Sequence, residues 1–151
     1  MTESRPSFLL VDGNNIIHAW PELLEMHRLN RGAAHAELIR QLSEYRDFSG
    51  ARVVVVFDGR GAVTTEERPA DGLQVFYSSS DRTADDIIER LAIRYGSRFD
   101  LTVATDDRAE QDIVVGAGGA VLSSDGLREL LERSERAMRD WIDRHRKRNS
   151  G

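Results

Sequence analysis

The chain has 151 residues, 40% apolar and 31% charged, which is the size and composition of one globular domain and not of a disordered, collagenous or repeat protein. It has no Cys, which excludes a disulfide framework, a zinc-thiolate site and thiol catalysis, and it has neither a basic-then-apolar leader nor an apolar run near the roughly 18 residues that span a bilayer, so a soluble cytoplasmic protein with no membrane partner is expected. The formal charge is −5, from 21 Lys and Arg against 26 Asp and Glu, a sign that at first argues against a nucleic-acid partner.

Ser7 to Val11 (SFLLV) is a short apolar run closed by Asp12-Gly13 and is predicted to be a buried strand. Ile16 to Arg28 has helical character that Pro21 ends or restarts. Leu38, Leu42 and Tyr45 recur at helical spacing in a helix predicted over Ala33 to Phe48. Arg52 to Phe57 (RVVVVF) is the clearest strand and again ends in Asp-Gly, at Asp58-Gly59. Residues 59–72, rich in Gly, Thr, Glu and Pro, read as one long irregular stretch. Leu73 to Tyr77, Leu101 to Ala104 and Ala120 to Leu122 supply three more strands. Ala84 to Tyr95 is a helix with Ile87, Ile88, Leu91 and Tyr95 at helical spacing, and a last helix aligns Leu127, Leu130, Leu131, Met138, Trp141 and Ile142 on one stripe. Runs apolar on both faces, alternating with helices, predict a three-layer α/β domain with a mainly parallel central sheet flanked by helices. One domain is expected over 1–151, ending in a basic tail over 144–151.

The charge is unevenly spread. From Leu127 onward there are eight Arg or Lys against five acids, net +3, which leaves −8 on residues 1–126. Between Asp81 and Asp112 nine acids face five Arg. Such runs are ordinarily solvated helix faces.

In an open parallel sheet, ligands bind beyond the carboxyl ends of the strands. Asp12 and Asp58 follow the first two strands, Asp106 and Asp107 follow LTVA, and Asp85 and Asp86 open the helix that leads into it. Carboxylates gathered at one sheet edge repel, and a hard divalent cation held by oxygen ligands, Mg²⁺ or Mn²⁺, removes the conflict. Each acid also has a local reading. Thr83 to Asp86 and Asp107 to Glu110 both fit a capping box, which leaves Asp85 and Asp106 as the projecting acids. Asp58-Gly59 fits an ordinary turn, whereas Asp12 is not needed for packing.

Other chemistries lack their residues. Asn14 stands where an aspartyl-phosphate phosphatase needs its second Asp. Gly116-Ala117-Gly118-Gly119 precedes a strand and is not a dinucleotide fingerprint, there is no GxxxxGK[ST], and Ser78-Ser79-Ser80 has no nucleophile-elbow frame. The four His, at 18, 27, 35 and 145, do not cluster with the acids in sequence and read as surface or half-buried side chains.

The runs LLVDGNNIIHAWPEL, VVVVFDG, VFYSSSDRTADDIIERLA and TVATDDRAEQ, in this order and over nearly the whole chain, resemble the YacP-like branch of the NYN domains, a division of the PIN-like nucleases. The resemblance implies a PIN-like fold and a divalent-metal endoribonuclease activity, in one bacterial branch directed at messenger RNA on the translating ribosome. By its motifs Asp12, Asp85 and Asp107 are the catalytic metal ligands, with Asp106 and Asp58 as further metal candidates. In the third motif, T-x-D, alignment on Thr105 selects Asp107 over Asp106. Asn15 matches the Asn that follows the first acid, while Asn14 replaces the aromatic usual there. Asn15, Thr105 and Gln111 are implied as supporting or substrate contacts, and exposed arginines, Arg82 and Arg108 among them, as phosphate contacts.

The mechanism implied is metal-assisted hydrolysis of a phosphodiester without a protein nucleophile. The resulting expectation is a Mg²⁺- or Mn²⁺-dependent endoribonuclease of single-stranded RNA, with RNA and the ribosome as partners. The alternative is a nonenzymatic RNA- or ribosome-binding module that keeps the fold.

Overall fold

A computed structural model describes residues 5–59, 61, 64–67 and 73–150, with the side chains of 149 and 150 left aside. Six strands form one sheet in the order β3-β4-β2-β1-β5-β6. The strands are β1 (Ser7–Asp12), β2 (Arg52–Phe57), β3 (Thr65–Glu67), β4 (Gln74–Tyr77), β5 (Asp100–Ala104) and β6 (Ala120–Leu122). Every pairing is parallel except β3 with β4. The helices are α1 (Gly13–Ala19), α2 (Pro21–Leu29), α3 (Arg31–Ser49), α4 (Ala84–Tyr95), α5 (Arg108–Gly116) and α6 (Ser124–Ser150).

Successive strand residues point to opposite faces, and here both faces are apolar. Leu9, Val11, Val53, Val55 and Phe57 pack with Ile16, Leu23, Leu38, Leu42 and Leu127 from α1, α2, α3 and α6. Phe8, Leu10, Val54, Val56 and Val103 pack with Ala84, Ile88, Ala92 and Val114 from α4 and α5. The three-layer α/β architecture with a mainly parallel sheet is therefore as expected, and its physical origin is this double burial.

Pro21 restarts a helix instead of bending one. Trp20 takes an extended conformation between α1 and α2, and Pro21 sits in the first turn of α2, where its missing N–H costs nothing. Part of the stretch expected to be irregular is ordered as β3, whose Thr65, Glu66 and Glu67 pair with Tyr77, Phe76 and Val75. Residues 60, 62–63 and 68–72 of that stretch lie outside the described residues. Apolar periodicity does not announce helix α5. It is short, and only Glu110 and Val114 of its nine residues are buried, so it carries no long stripe. The basic tail over 144–150 continues α6 as its last two turns; Gly151 lies outside the described residues. Among the described residues no helix is long and apolar enough to cross a membrane.

The chain runs outward from β1 through β2 to β4, then crosses back to place β5 and β6 on the other side of β1. A crevice forms where the winding reverses, beyond the carboxyl ends of β1 and its neighbours. Registers that pair Asp12 with Val56 and Val11 with Ala104 bring the ends of β1, β2 and β5 level at that crevice.

Candidate active site

Asp12 is the last residue of β1 and the N-cap of α1, and its carboxylate accepts from the N–H of Asn15 at 3.3 Å. Its backbone is held by close packing behind it. A Cβ on Gly13 would lie 2.3 Å from Phe57 Cε1 and 3.0 Å from the carbonyl of Val56, so only glycine lets α1 start this close to β2. Asp85 stands in the first turn of α4 and Glu110 in the first turn of α5. One carboxylate oxygen from each of Asp12, Asp85 and Glu110 lies within 4.8 Å of the other two. Asp12 and Glu110 are buried, at 4% and 1% exposure, while Asp85 is half-buried and opens the cluster to solvent. Glu110 Oε2 accepts from the Thr105 hydroxyl at 2.9 Å, but Glu110 Oε1 is buried with no hydrogen-bond partner among the described residues.

Three carboxylates this close cannot all be ionised without a counter-charge. Burial raises the carboxyl of Asp12 above the usual range, opposed by the neighbouring Glu110 carboxyl and by the bond from the Asn15 N–H. Burial, followed by the charges of Asp12, Asp107 and Asp58, pushes Asp85 up to about 6. Glu110 is raised most, by burial and by the Asp12 carboxylate beside it. The apo cluster is thus a proton-holding one. The donors are oxygen only and one of them is a buried orphan, so the residues fit a hard divalent cation in place of those protons.

The model of the YacP-like NYN domain matches residues 9–151. The chain belongs to the YacP-like NYN domain family. The Bacillus subtilis (strain 168) protein YacP, described as uncharacterized, is 36% identical over 129 residues, covering 84% of this chain and 74% of that one. A crystal structure of Rae1 (YacP) from Bacillus subtilis superposes with a TM-score of 0.77 at 31% identity, covering 95% of this chain and 84% of that one. A mutant form of the same protein gives 0.79 over 93% and 84%. The NYN domain has a PIN-like nuclease fold, and this membership supports a nuclease-type role.

Within this NYN domain, Asp12 and Asp85 of the sequence-derived ligand set come together, and Glu110 joins them. Asp107 stands at the rim, close enough to raise Asp85, with its carboxylate capping α5 through the Glu110 N–H at 3.1 Å. The expected capping box is only half formed: Glu110 turns its side chain to Thr105 and the cluster, and the N–H of Asp107 goes to Thr105 Oγ1 instead. Asp106 turns away. Its two oxygens take the N–H and the hydroxyl of Ser124, at 2.8 and 2.6 Å, fastening the start of α6 to the end of β5. Asp58 accepts from the N–H of Ala84 at 2.9 Å and so anchors α4, the helix that presents Asp85.

The residues read as substrate contacts divide in the same way. Asn15 accepts from the N–H of Asp106 at 2.8 Å and Gln111 donates to the carbonyl of Thr105 at 2.8 Å, so both hold the loop after β5 in place. Thr105 is fully buried beneath Glu110. Asn14, where the family usually has an aromatic, accepts from the N–H of Asp58 at 2.7 Å and ties the start of α1 to the end of β2. Arg82 and Arg108 are exposed just ahead of α4 and at the start of α5, on the helix ends that carry Asp85 and Glu110. Glu110 escapes a reading of the sequence, because a Glu three residues after an N-cap Asp has a complete local explanation. The signal that could have marked it is a second acid one helical turn beyond a strand end already rich in acids.

Proposed function

We propose that this NYN domain is an endoribonuclease that hydrolyses phosphodiester bonds of single-stranded RNA with Mg²⁺ or Mn²⁺, with messenger RNA on the ribosome as its setting. The observation that carries the reading is the meeting of Asp12, Asp85 and Glu110 around a buried, unpartnered carboxylate oxygen. When bound there, a divalent cation supplies Lewis-acid activation of water and stabilises charge on the reacting phosphate. The chain supplies the rest. Asp12 and Glu110 form a shielded floor, Asp85 stands at the solvent-open side, and Asp107 fixes the first turn of α5. Arg82 and Arg108, exposed just ahead of α4 and at the start of α5, supply phosphate contacts that offset the acidic pocket. The basic end of α6, Arg144 to Arg148, offers further phosphate contacts, as a ribosomal setting requires.

The test is cleavage of single-stranded RNA with Mg²⁺ or Mn²⁺ by the wild-type chain and by Asp12→Asn and Asp85→Asn. Strong cleavage by the wild type alone is expected. Equal cleavage by all three removes the cluster from the mechanism. Ribosome association without cleavage under either cation replaces the reading with that of a binding module.

A further inference from the structure

A series of rings leads away from the acid cluster on the α1–α3 side of the sheet. It begins at Phe57, which lies directly against Gly13, the residue after Asp12. His35 of α3 stacks on Phe57 with ring centroids 4.0 Å apart and planes inclined by 11°. Tyr77, at the end of β4, packs beside both, with its ring centroid 5.6 Å from that of Phe57 and 6.0 Å from that of His35. Beyond His35 come His27 of α2 at 6.3 Å and then His18 of α1, 5.4 Å from His27. Phe57 and His35 are buried, His27 and Tyr77 are half-buried, and His18 is exposed. Three of the four histidines thus meet in one cluster, which their spacing in the chain does not announce.

Packing alone gives no reason for imidazoles here. The Nε2 atoms of His27 and His35 are both buried without a hydrogen-bond partner among the described residues, a burden that apolar rings would avoid. Burial and the charge of Arg31 lower both pKa values, that of His35 to about 4, so these rings are neutral near pH 7. Arg31 itself donates to the carbonyl of Asp58 at 3.0 Å, which holds its guanidinium at the end of β2 beside the acid cluster. His18 is oriented as well, since its Nδ1–H donates to the carbonyl of Asn14 at 2.8 Å and leaves Nε2 for another partner.

Flat rings with polar edges, an exposed ring at one end and a fixed guanidinium alongside are what unpaired bases and their phosphates require. Bases stack on aromatic and imidazole faces, and only single strands offer those faces freely. We infer that the ring series from Tyr77 through Phe57, His35 and His27 to His18 is a base-stacking subsite for single-stranded RNA. His18 and Tyr77 receive bases at its accessible ends, and Arg31 pairs with the intervening backbone. The inference rests on the RNA-cleaving reading above and adds to it a source of preference for unpaired RNA that the acid cluster cannot supply.

The experiment uses the full chain carrying Asp85→Asn, so that bound RNA survives, with fluorescence anisotropy of a short labelled oligoadenylate and of the corresponding duplex. His18→Ala and Tyr77→Leu are each expected to weaken single-strand binding by between about 5- and 100-fold, with duplex binding unchanged. His18→Phe, which keeps a ring but not the bond to Asn14, is expected to retain binding. In the otherwise wild-type chain, His18→Ala should raise KM for single-stranded RNA more than it lowers kcat. Undiminished binding by His18→Ala, or failure of His18→Phe equal to that of His18→Ala, overturns the subsite. If the wild-type chain cleaves RNA while His18→Ala binds and cleaves as well as its parent, only the subsite falls. If the wild type neither binds nor cleaves single-stranded RNA, both readings fall.

Discussion

Asp85→Asn measures directly how strongly the carboxylates of the cluster oppose one another. Burial and the neighbouring acids raise Asp85 from 3.8 to about 6. At about 1.4 kcal/mol for each tenfold change, that corresponds to roughly 3 kcal/mol for a fully shielded group, and solvent screening of this half-buried side chain reduces it to about 1–2 kcal/mol. The sign follows from the direction. The folded chain holds the proton more tightly than the unfolded one, so this stabilisation is complete below about pH 4 and is lost as pH rises through about 6. Asp12 and Glu110 are raised too, which extends the loss to higher pH. With a chelator present, the wild-type chain should therefore be less stable at about pH 8 than at about pH 5. Asp85→Asn should flatten that difference and, at the higher pH, melt about 2–8 °C above the wild type. Mn²⁺ at about 100 times its Kd should add about 2.7 kcal/mol to the wild type and distinctly less to the variant. Thermal unfolding followed by circular dichroism reads all three quantities. A chelated variant that melts at or below the wild type at the higher pH would refute the reasoning, because the carboxylates would then not be in conflict.

Four further outcomes are expected. Glu110→Gln keeps the shape and an acceptor for Thr105 but removes an acid, and should lower RNA cleavage and Mn²⁺ affinity by more than the roughly 10- to 100-fold typical of a supporting residue; unchanged Mn²⁺ titration would place the cation elsewhere. Asp106→Ala should cost about 1–2 kcal/mol in urea unfolding through the loss of its bonds to Ser124, with Mn²⁺ affinity intact. Gly13→Ala, whose Cβ meets the Phe57 ring, should destabilise by about 1–3 kcal/mol and reduce cleavage by displacing Asp12, both read on the same purified variant. Deleting residues 144–151 should weaken RNA binding and flatten its dependence on salt by about 0.7 in log–log slope for each phosphate no longer neutralised, as measured by anisotropy over a salt series.

Much of the fold is legible because it rests on local signals. RVVVVF can only be a strand buried on both faces, and Ala84–Tyr95 has both its stripe and its Thr83 cap, with Thr83 accepting from the N–H of Asp86. Short elements with few apolar positions are not legible in this way. The three residues of β3 exist as a strand because β4 offers them an open edge, and α5 exists because Asp107 caps it and Val114 finds a core.

The same division runs through the site. By itself the sequence determined that acids follow the apolar strands, that no Cys, serine triad or phosphate loop competes with them, and that the chain resembles the NYN domains. What it could not determine is which acids face one another, since every Asp at a strand end or helix start has a capping use that the local pattern satisfies equally well. Tertiary structure decided between them by burial and by partner. Asp106 spends both oxygens on the start of α6 and Asp58 commits its Oδ1 to the N-terminus of α4, whereas Glu110, locally a capping residue, is turned inward and left with a bare oxygen against Asp12 and Asp85. The histidine series is decided in the same way. His18, His27 and His35 lie on three successive helices, and only the packing of those helices against the end of β2 brings their rings together.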